Sequence, residues 1–249
     1  MNVLFLIVAI LLVLAGAVVL FDNWASDLPD VASKPLPRWK RLLPWAFIFL
    51  GLIVLDLAVS PAHAQTVQVP DVDARLRLLV EQASSDEWGV GASPARLAAQ
   101  LHQESSWNPS ARSSVGAEGL AQIMPSTGKW LAQQFPQLGA YDPWDAAWSA
   151  RAAAVYDHWL LQRNPGAGAC SSWAFAFSAY NGGEKLLHKE QAIAAQHGKD
   201  AQRWFSNTED YNARSKASWQ QNRAYVRHIL IVLEPSYIKA GWSGTAVCV

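Results

Sequence analysis

The sequence predicts an all-α protein in which one or two membrane-spanning helices precede a helical domain of residues 65–249. Two long apolar runs lie before residue 65. After it, apolar residues recur at the three- and four-residue spacing of amphipathic helices. No alternating run of β-branched residues, which would indicate a strand, appears in this part. Its predicted core, residues 71–233, is long enough to fold independently.

The first apolar run, residues 2–21, carries no charge and has about the twenty residues that a helix needs to cross a bilayer. Residues 22–41 form a polar connector with four basic side chains, Lys34, Arg38, Lys40 and Arg41. Basic connectors remain in the cytoplasm. A second apolar segment, residues 42–64, would therefore return the chain across the membrane and place residues 65–249 in the periplasm of a bacterial cell.

The second segment has an alternative interpretation. It ends in an Ala-x-Ala pattern at Ala62-His63-Ala64 after a basic and apolar stretch, which is typical of a signal peptide cleaved after Ala64. Both interpretations export the helical domain. We favour the form that stays tethered to the inner membrane, and cleavage would release a periplasmic form.

Composition narrows the function classes. The formal net charge is zero and only 16% of residues are charged, which argues against nucleic acid as a partner. The chain has 13 Trp, which pack in cores and also stack on sugar rings. Cys170 and Cys248 have no metal-ligand spacing. They could form a disulfide that fastens the C-terminal tail or remain two free thiols, and the sequence leaves both open.

The helices of the domain are predicted in order from caps and apolar spacing. The first covers residues 71–88 with Asp71 or Asp73 as N-cap, and the second starts at Pro94 after Ser93 as N-cap. A cap and proline at Asp142-Pro143 start a long helix through Trp159. Other helices are predicted at residues 126–135, 171–180, 186–197 and 213–233. The glycines after Asn181 end the helix of residues 171–180 because they accept left-handed backbone angles.

Glu104 stands near the end of the second of these helices, three residues after the apolar Leu101 and shortly before Asn108-Pro109 stops the helix. A carboxylate there faces the negative end of the helix dipole, and partial burial would add to that effect. Both effects raise its pKa, as a general acid working near neutral pH requires. A solvated surface glutamate is the alternative for this segment alone.

Four short motifs in order favour catalysis over that alternative. They are Glu104-Ser105, Gly119-Leu120-Ala121-Gln122-Ile123-Met124-Pro125, Ala179-Tyr180-Asn181-Gly182-Gly183 and Tyr225-Val226. Together they resemble the catalytic domain of the soluble-lytic-transglycosylase (SLT) family, which cleaves peptidoglycan glycan strands on a goose-type lysozyme fold. The resemblance covers residues 71–233.

The resemblance implies a mechanism with one catalytic carboxyl group and no metal or organic cofactor. Glu104 would protonate the oxygen between N-acetylmuramic acid and N-acetylglucosamine. It would then deprotonate the muramoyl 6-hydroxyl, which closes a 1,6-anhydro ring. The sequence offers no second carboxylate of the kind that ordinary retaining glycosidases use. We expect Glu118 to face outward, and Asp142 and Asp145 to be helix caps.

The resemblance also implies substrate-binding residues. Ser113 would supply a cleft hydroxyl, or be an ordinary loop serine. Gln122 and Met124 would line the cleft floor, although a methionine more often fills a core. Tyr180 would reach toward Glu104 and the N-acetyl group, with Asn181 bracing the turn. Tyr225 would close the cleft from the last helix, or be a plain buried aromatic.

The sequence departs from the family in one place, since Gln221 stands where many members have an acidic residue. Stem-peptide recognition could therefore differ. The predicted function is a membrane-tethered lytic transglycosylase whose partners are peptidoglycan strands, the membrane and, as candidates, proteins of a conjugation, secretion or phage apparatus. A hydrolysing muramidase and a non-catalytic peptidoglycan-binding scaffold are the alternatives.

Overall fold

A computed structural model describes residues 68–248. Eight α-helices form this part of the chain: α1 Ala74–Trp88, α2 Pro94–Ser105, α3 Pro125–Gln134, α4 Ala146–Arg163, α5 Ala169–Gly182, α6 Glu184–Gln196, α7 Lys216–Arg227 and α8 Glu234–Lys239. A π-helical segment, His228–Leu233, joins α7 to α8. Extended pairing within residues 68–248 is limited to two isolated bridges, both made by Glu118. The all-α prediction for the domain is confirmed over these residues.

The predicted membrane segments, residues 2–21 and 42–64, and the connector between them lie outside the described residues. None of the helices found between residues 68 and 248 has both the length and the apolar character that crossing a membrane requires.

Several helix ends differ from the predicted ones because capping groups act differently. Asp73 caps α1 as expected, accepting hydrogen bonds from the amides of Arg75 and Leu76. The side chain of Ser93, however, makes no capping hydrogen bond to α2. Helix α4 begins after Asp145, which accepts from the amide of Ala147, while Asp142 closes the turn before it. Helical backbone also continues past Leu233 through α8.

The core is built around α5, which is apolar on nearly all sides and packs against α4, α6 and α7. Its buried side chains include Trp173, Ala174, Phe175, Ala176, Phe177 and Ala179. Helix α2 packs against α1, α4, α8 and the π-helical segment, and eight of its residues, from Pro94 to Leu101, are buried. The core therefore fixes three helices, α2, α5 and α7, that carry predicted site residues.

Two features tie the later part of the chain to this core. The carboxylate of Glu190, which is fully buried, receives hydrogen bonds from Arg214 at 2.9 and 3.1 Å and from Arg223 at 2.9 Å. Cys170, in the first turn of α5, forms a disulfide with Cys248. Of the two states that the sequence left open for these cysteines, the structure has the disulfide.

We predict that Glu190→Gln lowers the free energy of unfolding by about 3–5 kcal/mol, because it leaves two buried guanidinium groups without a counter-charge. Arg203→Ala is the matched control. It removes a solvent-exposed ion pair with Asp200, and exposed pairs contribute at most about 1 kcal/mol. Urea denaturation of both variants measures the difference, and equal effects would contradict the structural role of Glu190.

Candidate active site

Glu104 is the next-to-last residue of α2. The helix ends because Ser106 and Trp107 both adopt left-handed backbone angles, with φ of 51° and 66°. These values are uncommon for residues other than glycine. The chain therefore turns sharply just after Glu104, whose side chain remains partly exposed at the end of a buried helix.

Tyr225 of α7 holds the Glu104 carboxyl group. Its hydroxyl donates a hydrogen bond of 2.5 Å to Oε1 of Glu104, and its side chain is only 4% exposed. The ring also packs edge-on against Phe177 of α5. Tyr225 is thus buried, but it is more than a plain buried aromatic because its hydroxyl contacts the Glu104 carboxyl group.

Burial raises the pKa of Glu104 to about 8, because little water reaches the carboxyl group and the charged form is disfavoured. The Tyr225 hydroxyl acts in the opposite direction, since a donor stabilises the carboxylate. The raised pKa is the one expected from the sequence. Its main cause is burial.

A glycine-containing loop, residues 113–124, lies between α2 and α3, and its backbone is closely packed and hydrogen-bonded. Gly119 has φ of 75° and packs so closely against the carbonyl of Pro143 that a Cβ atom would lie 1.8 Å from that oxygen. Gln122 also has a positive φ of 48°, and its Nε2 donates to the carbonyls of Ala111 and Gly119 at 3.0 and 2.9 Å. The amide of Gln122 therefore braces the loop from inside.

Two other predicted site residues belong to the same loop. The Ser113 hydroxyl oxygen accepts a hydrogen bond of 2.9 Å from the amide of Ala117 and so closes the turn. Met124, at the end of the loop, has 40% of its surface exposed. It is not the core-filling methionine that was the alternative.

Tyr180, at the end of α5, connects this loop to the core. Its hydroxyl donates to the carbonyl of Ala121 at 2.8 Å. Burial raises the pKa of Tyr180 well above its usual value, and the nearby Glu104 charge raises it further. Asn181 accepts a hydrogen bond of 3.0 Å from Asn222 of α7. Tyr180 therefore lies near Glu104, but its hydrogen bond goes to the loop.

One sequence-based expectation about the carboxyl groups is wrong. Glu118 does not face outward: it is 9% exposed, and one of its oxygens accepts a hydrogen bond of 2.6 Å from Tyr141. The extended pairing of Glu118 with Arg112 and Ile123 turns its side chain toward the protein. It is engaged inside the protein instead of being free at the surface.

A second buried carboxyl group, that of Asp157, was not among the residues predicted from the sequence. Asp157 of α4 is 1% exposed and accepts a hydrogen bond of 3.0 Å from Nε2 of Gln100. Burial raises its pKa well above the usual value, and the Glu104 charge adds to the effect. The available signal was Gln100 itself, a polar residue among the buried positions of α2 that requires a partner.

In the part of the chain that the structure describes, residues 68–248, no group of three or more His, Cys, Asp or Glu side chains is arranged to hold a metal ion.

The fold is similar to that of two solved structures. One is the 70-kDa soluble lytic transglycosylase from Escherichia coli, with 23% identity, a TM-score of 0.51 and coverage of 68% of this chain and 26% of that one. The other is a complex of the 70-kDa soluble lytic transglycosylase with bulgecin A, with 22% identity, a TM-score of 0.52 and coverage of 69% and 25%. The present chain thus spans about a quarter of the length of these structures. At such identities the likeness establishes the shared fold.

A family model gives the more specific relationship. Residues 82–204 match the transglycosylase SLT domain, a range that includes Glu104, the glycine-containing loop and Tyr180. The resemblance inferred from four short motifs is confirmed, and residues 82–204 of this chain are a transglycosylase SLT domain.

Proposed function

We propose that this protein is a membrane-tethered peptidoglycan lytic transglycosylase. It cleaves the β-1,4 bond between N-acetylmuramic acid and N-acetylglucosamine and forms a 1,6-anhydro-muramoyl product. The observation that carries the proposal is one partly exposed carboxyl group, Glu104, with a pKa of about 8 and a tyrosine donor at 2.5 Å.

The surroundings of Glu104 favour this reaction over one with a carboxylate nucleophile. A retaining glycosidase places a second carboxylate about 5 Å from the acid. Among the described residues, Asp157 interacts with the charge of Glu104, and Glu118 lies in the glycine-containing loop. Asp157 is buried against Gln100, and Glu118 is bonded to Tyr141. Neither is free to attack a sugar, which supports a nucleophile supplied by the substrate.

The reaction starts with Glu104 protonated, as its pKa implies at neutral pH. Glu104 donates this proton to the glycosidic oxygen, the bond to the muramoyl C1 breaks, and N-acetylglucosamine leaves with a free 4-hydroxyl group. The N-acetyl oxygen of the muramoyl residue stabilises the positive charge at C1. The Tyr225 hydroxyl meanwhile stabilises the Glu104 carboxylate that remains.

The second step restores the enzyme. The Glu104 carboxylate takes the proton of the muramoyl 6-hydroxyl, whose oxygen attacks C1 and closes the 1,6-anhydro ring. A single group is therefore the acid and then the base, which requires a pKa near the working pH.

The remaining predicted residues have substrate-binding roles in this proposal. Met124 offers an exposed thioether side chain at the end of the glycine-containing loop, beneath the sugar. The Nε2 of Gln122 is used by the loop, so its Oε1 is the atom that would accept from a sugar hydroxyl. Ser113 borders the same loop, and Tyr180 with Asn181 bounds the side of the N-acetyl group.

The cellular setting proposed here rests on the sequence. The two apolar segments before residue 65 would hold the domain at the inner membrane with its site in the periplasm. A tether restricts cleavage to nearby wall, which suits local opening of peptidoglycan by a conjugation, secretion or phage apparatus better than bulk lysis.

The direct test is digestion of purified sacculi with the full-length protein in detergent, followed by mass spectrometry of the released muropeptides. We expect products that end in anhydro-muramic acid. Products with reducing ends and no anhydro species would instead establish a muramidase. Binding to sacculi without any cleavage would establish a scaffold.

Glu104→Gln should reduce cleavage of sacculi by at least about 100-fold, because the amide cannot donate a proton and then accept one. Co-sedimentation with sacculi should stay near the wild-type level, since the shape of the side chain is kept. Glu81→Gln, which alters a partly exposed ion pair with Arg77, is the control and should cleave normally. Full activity of Glu104→Gln would remove Glu104 from the mechanism.

The pH dependence follows from the raised pKa. Because the free enzyme needs protonated Glu104, kcat/KM should be constant below a pH of about 8 and fall about tenfold per pH unit above it. Turbidity assays of sacculi across this range measure the profile. A fall centred near pH 4.5, the ordinary pKa of glutamate, would show a solvated carboxyl group and contradict the proposed environment.

Tyr225→Phe removes the donor that stabilises ionised Glu104, so the pKa of Glu104 should rise by about one unit and the alkaline fall should move upward with it. We also expect kcat to drop about 10- to 100-fold, since the carboxylate formed in the first step loses a charge-assisted hydrogen bond. Tyr211→Phe is the control, because the Tyr211 ring packs against His197, the C-cap of α6, and its hydrogen bonds from Trp219 and Arg223 go to the backbone carbonyl, which the substitution keeps. An unchanged profile in Tyr225→Phe would contradict the role of this hydrogen bond.

A further inference from the structure

The chain does not end with α8 but continues along the surface of α2. We call residues 240–248 the C-terminal strap. It lies outside residues 82–204, the part that matches the family model. The strap begins at Ala240, the C-cap of α8, and ends in the disulfide between Cys248 and Cys170.

The strap completes the first turn of α2. The amide of Ala95 donates a hydrogen bond of 3.0 Å to the carbonyl of Ser243, and Nη2 of Arg96 donates one of 3.0 Å to the carbonyl of Thr245. Amides in the first turn have no partner within their own helix, and the side chain of Ser93 does not supply one. The Ser243 carbonyl of the strap therefore serves where a capping side chain is expected, and the Thr245 carbonyl binds the Arg96 side chain.

The fit between strap and helix is close at Gly244. A Cβ atom at this position would lie 2.3 Å from Oγ of Ser93 and 3.3 Å from Cβ of Ala95. Gly244 also has a φ of 146°, which favours glycine. The backbone of the strap thus lies directly on the start of α2.

The strap also supports the other end of α2, close to Glu104. Trp242 is 5% exposed and packs against Trp107, with ring centroids 5.8 Å apart, and edge-on against Tyr237 at 5.4 Å. The Tyr237 hydroxyl accepts a hydrogen bond of 2.6 Å from Nε1 of Trp107 and lies 3.0 Å from Nδ1 of His102. His102 and Trp107 flank Glu104 in sequence, two residues before it and three after it.

The disulfide joins this support to a second helix of the site. Cys170 is in the first turn of α5, and the same helix carries Tyr180 near its end. The strap therefore links the helix of Glu104 to the helix of Tyr180 by one covalent bond and several noncovalent contacts.

We propose that the C-terminal strap is a redox-controlled positioning element for Glu104, closed over α2 as the disulfide and released from it as the dithiol. The proposal rests on the function proposed above. The domain would gain full activity only after export, because disulfides persist in oxidising compartments and are reduced in the cytosol.

Closure is a balanced exchange reaction. The thiolate of one cysteine attacks the disulfide of a thiol oxidoreductase, and the second cysteine resolves the mixed disulfide. Cys170 and Cys248 together lose two protons and two electrons. The oxidoreductase disulfide takes up both electrons and is reduced to a dithiol.

The first experiment compares the oxidised full-length protein with the same protein after reduction, with thiol titration to verify the state of both cysteines. We expect reduction to lower kcat about 10- to 100-fold, since small displacements of a catalytic group cost this much. KM for sacculi should change little. The alkaline fall of kcat/KM should move to lower pH, because a loosened α2 admits water to Glu104. The double variant Cys170→Ser/Cys248→Ser should have the kcat and the pH profile of the reduced protein. Added reductant should change neither of them.

A glycine variant separates positioning from general stability while the disulfide stays intact. Gly244→Ala should lift the strap from Ser93 and reduce kcat severalfold at 25 °C, with the same shift of the pH profile. Gly198→Ala is the matched control: Gly198 also has a positive φ, 72°, but a Cβ there meets no atom within 4 Å. It should lower thermal stability slightly and leave kcat and the pH profile unchanged.

Hydrogen exchange of α2 amides gives a readout that does not depend on catalysis. Faster exchange in α2 after reduction and in Gly244→Ala would support the strap even if the anhydro product were absent and the proposed reaction were wrong. Equal kcat and equal α2 exchange in the oxidised protein, the fully reduced protein and Gly244→Ala would overturn the proposal. If reduction unfolds the protein, Gly244→Ala distinguishes a positioning role from a structural one. A lower melting temperature with a normal kcat would show that the strap is purely structural and would overturn the proposal.

Discussion

The site depends on keeping water away from one carboxyl group. Glu104 stands at the end of a buried helix, where the chain turns sharply through two residues with left-handed angles. Its burial raises the pKa to about 8, and the Tyr225 hydroxyl limits the rise by stabilising the carboxylate. Without burial the group would be ionised at neutral pH, and without the tyrosine its ionised form would be disfavoured further. The two opposing effects leave a group able to give a proton and take one back.

The same helix shows how a protein satisfies polar groups in an apolar core. Arg96, Gln100 and Glu104 are spaced four residues apart on one face of α2. Arg96 pairs with Glu234 at 2.8 Å, and Gln100 bonds to Asp157. The Nη2 of Arg96 and the Nε2 of Gln100 thus each have a partner from another helix, as is usual for buried polar groups. Only Glu104, at the end of the row, keeps a path to solvent and hence to a substrate.

The sequence by itself determined the helical character of the domain, the approximate order of its helices and the identity of the catalytic candidate. These follow from local rules: apolar spacing, prolines and glycines at helix ends, and short motifs that can be recognised without knowledge of the tertiary contacts. The rise of the Glu104 pKa was also foreseen, because position at a helix end and partial burial are both readable from the pattern around Leu101 and Pro109. The same rules failed for Ser93 as a cap, since the competing acceptor, Ser243, lies far along the chain.

Only the tertiary structure decided which distant groups meet. It brought Tyr225 to Glu104 across 121 positions, turned Glu118 inward, placed Asp157 behind Gln100 and joined Cys170 to Cys248 across 78 positions. It also showed that Met124 is exposed and that the amide of Gln122 serves the loop. The buried Gln100 indicated that it needs a partner, but no local signal identifies Asp157, Tyr225 or Cys248 as the distant member of its pair, because these pairs arise from tertiary packing. The sequence therefore fixes the chemical groups that are available, and packing decides which of them share one site.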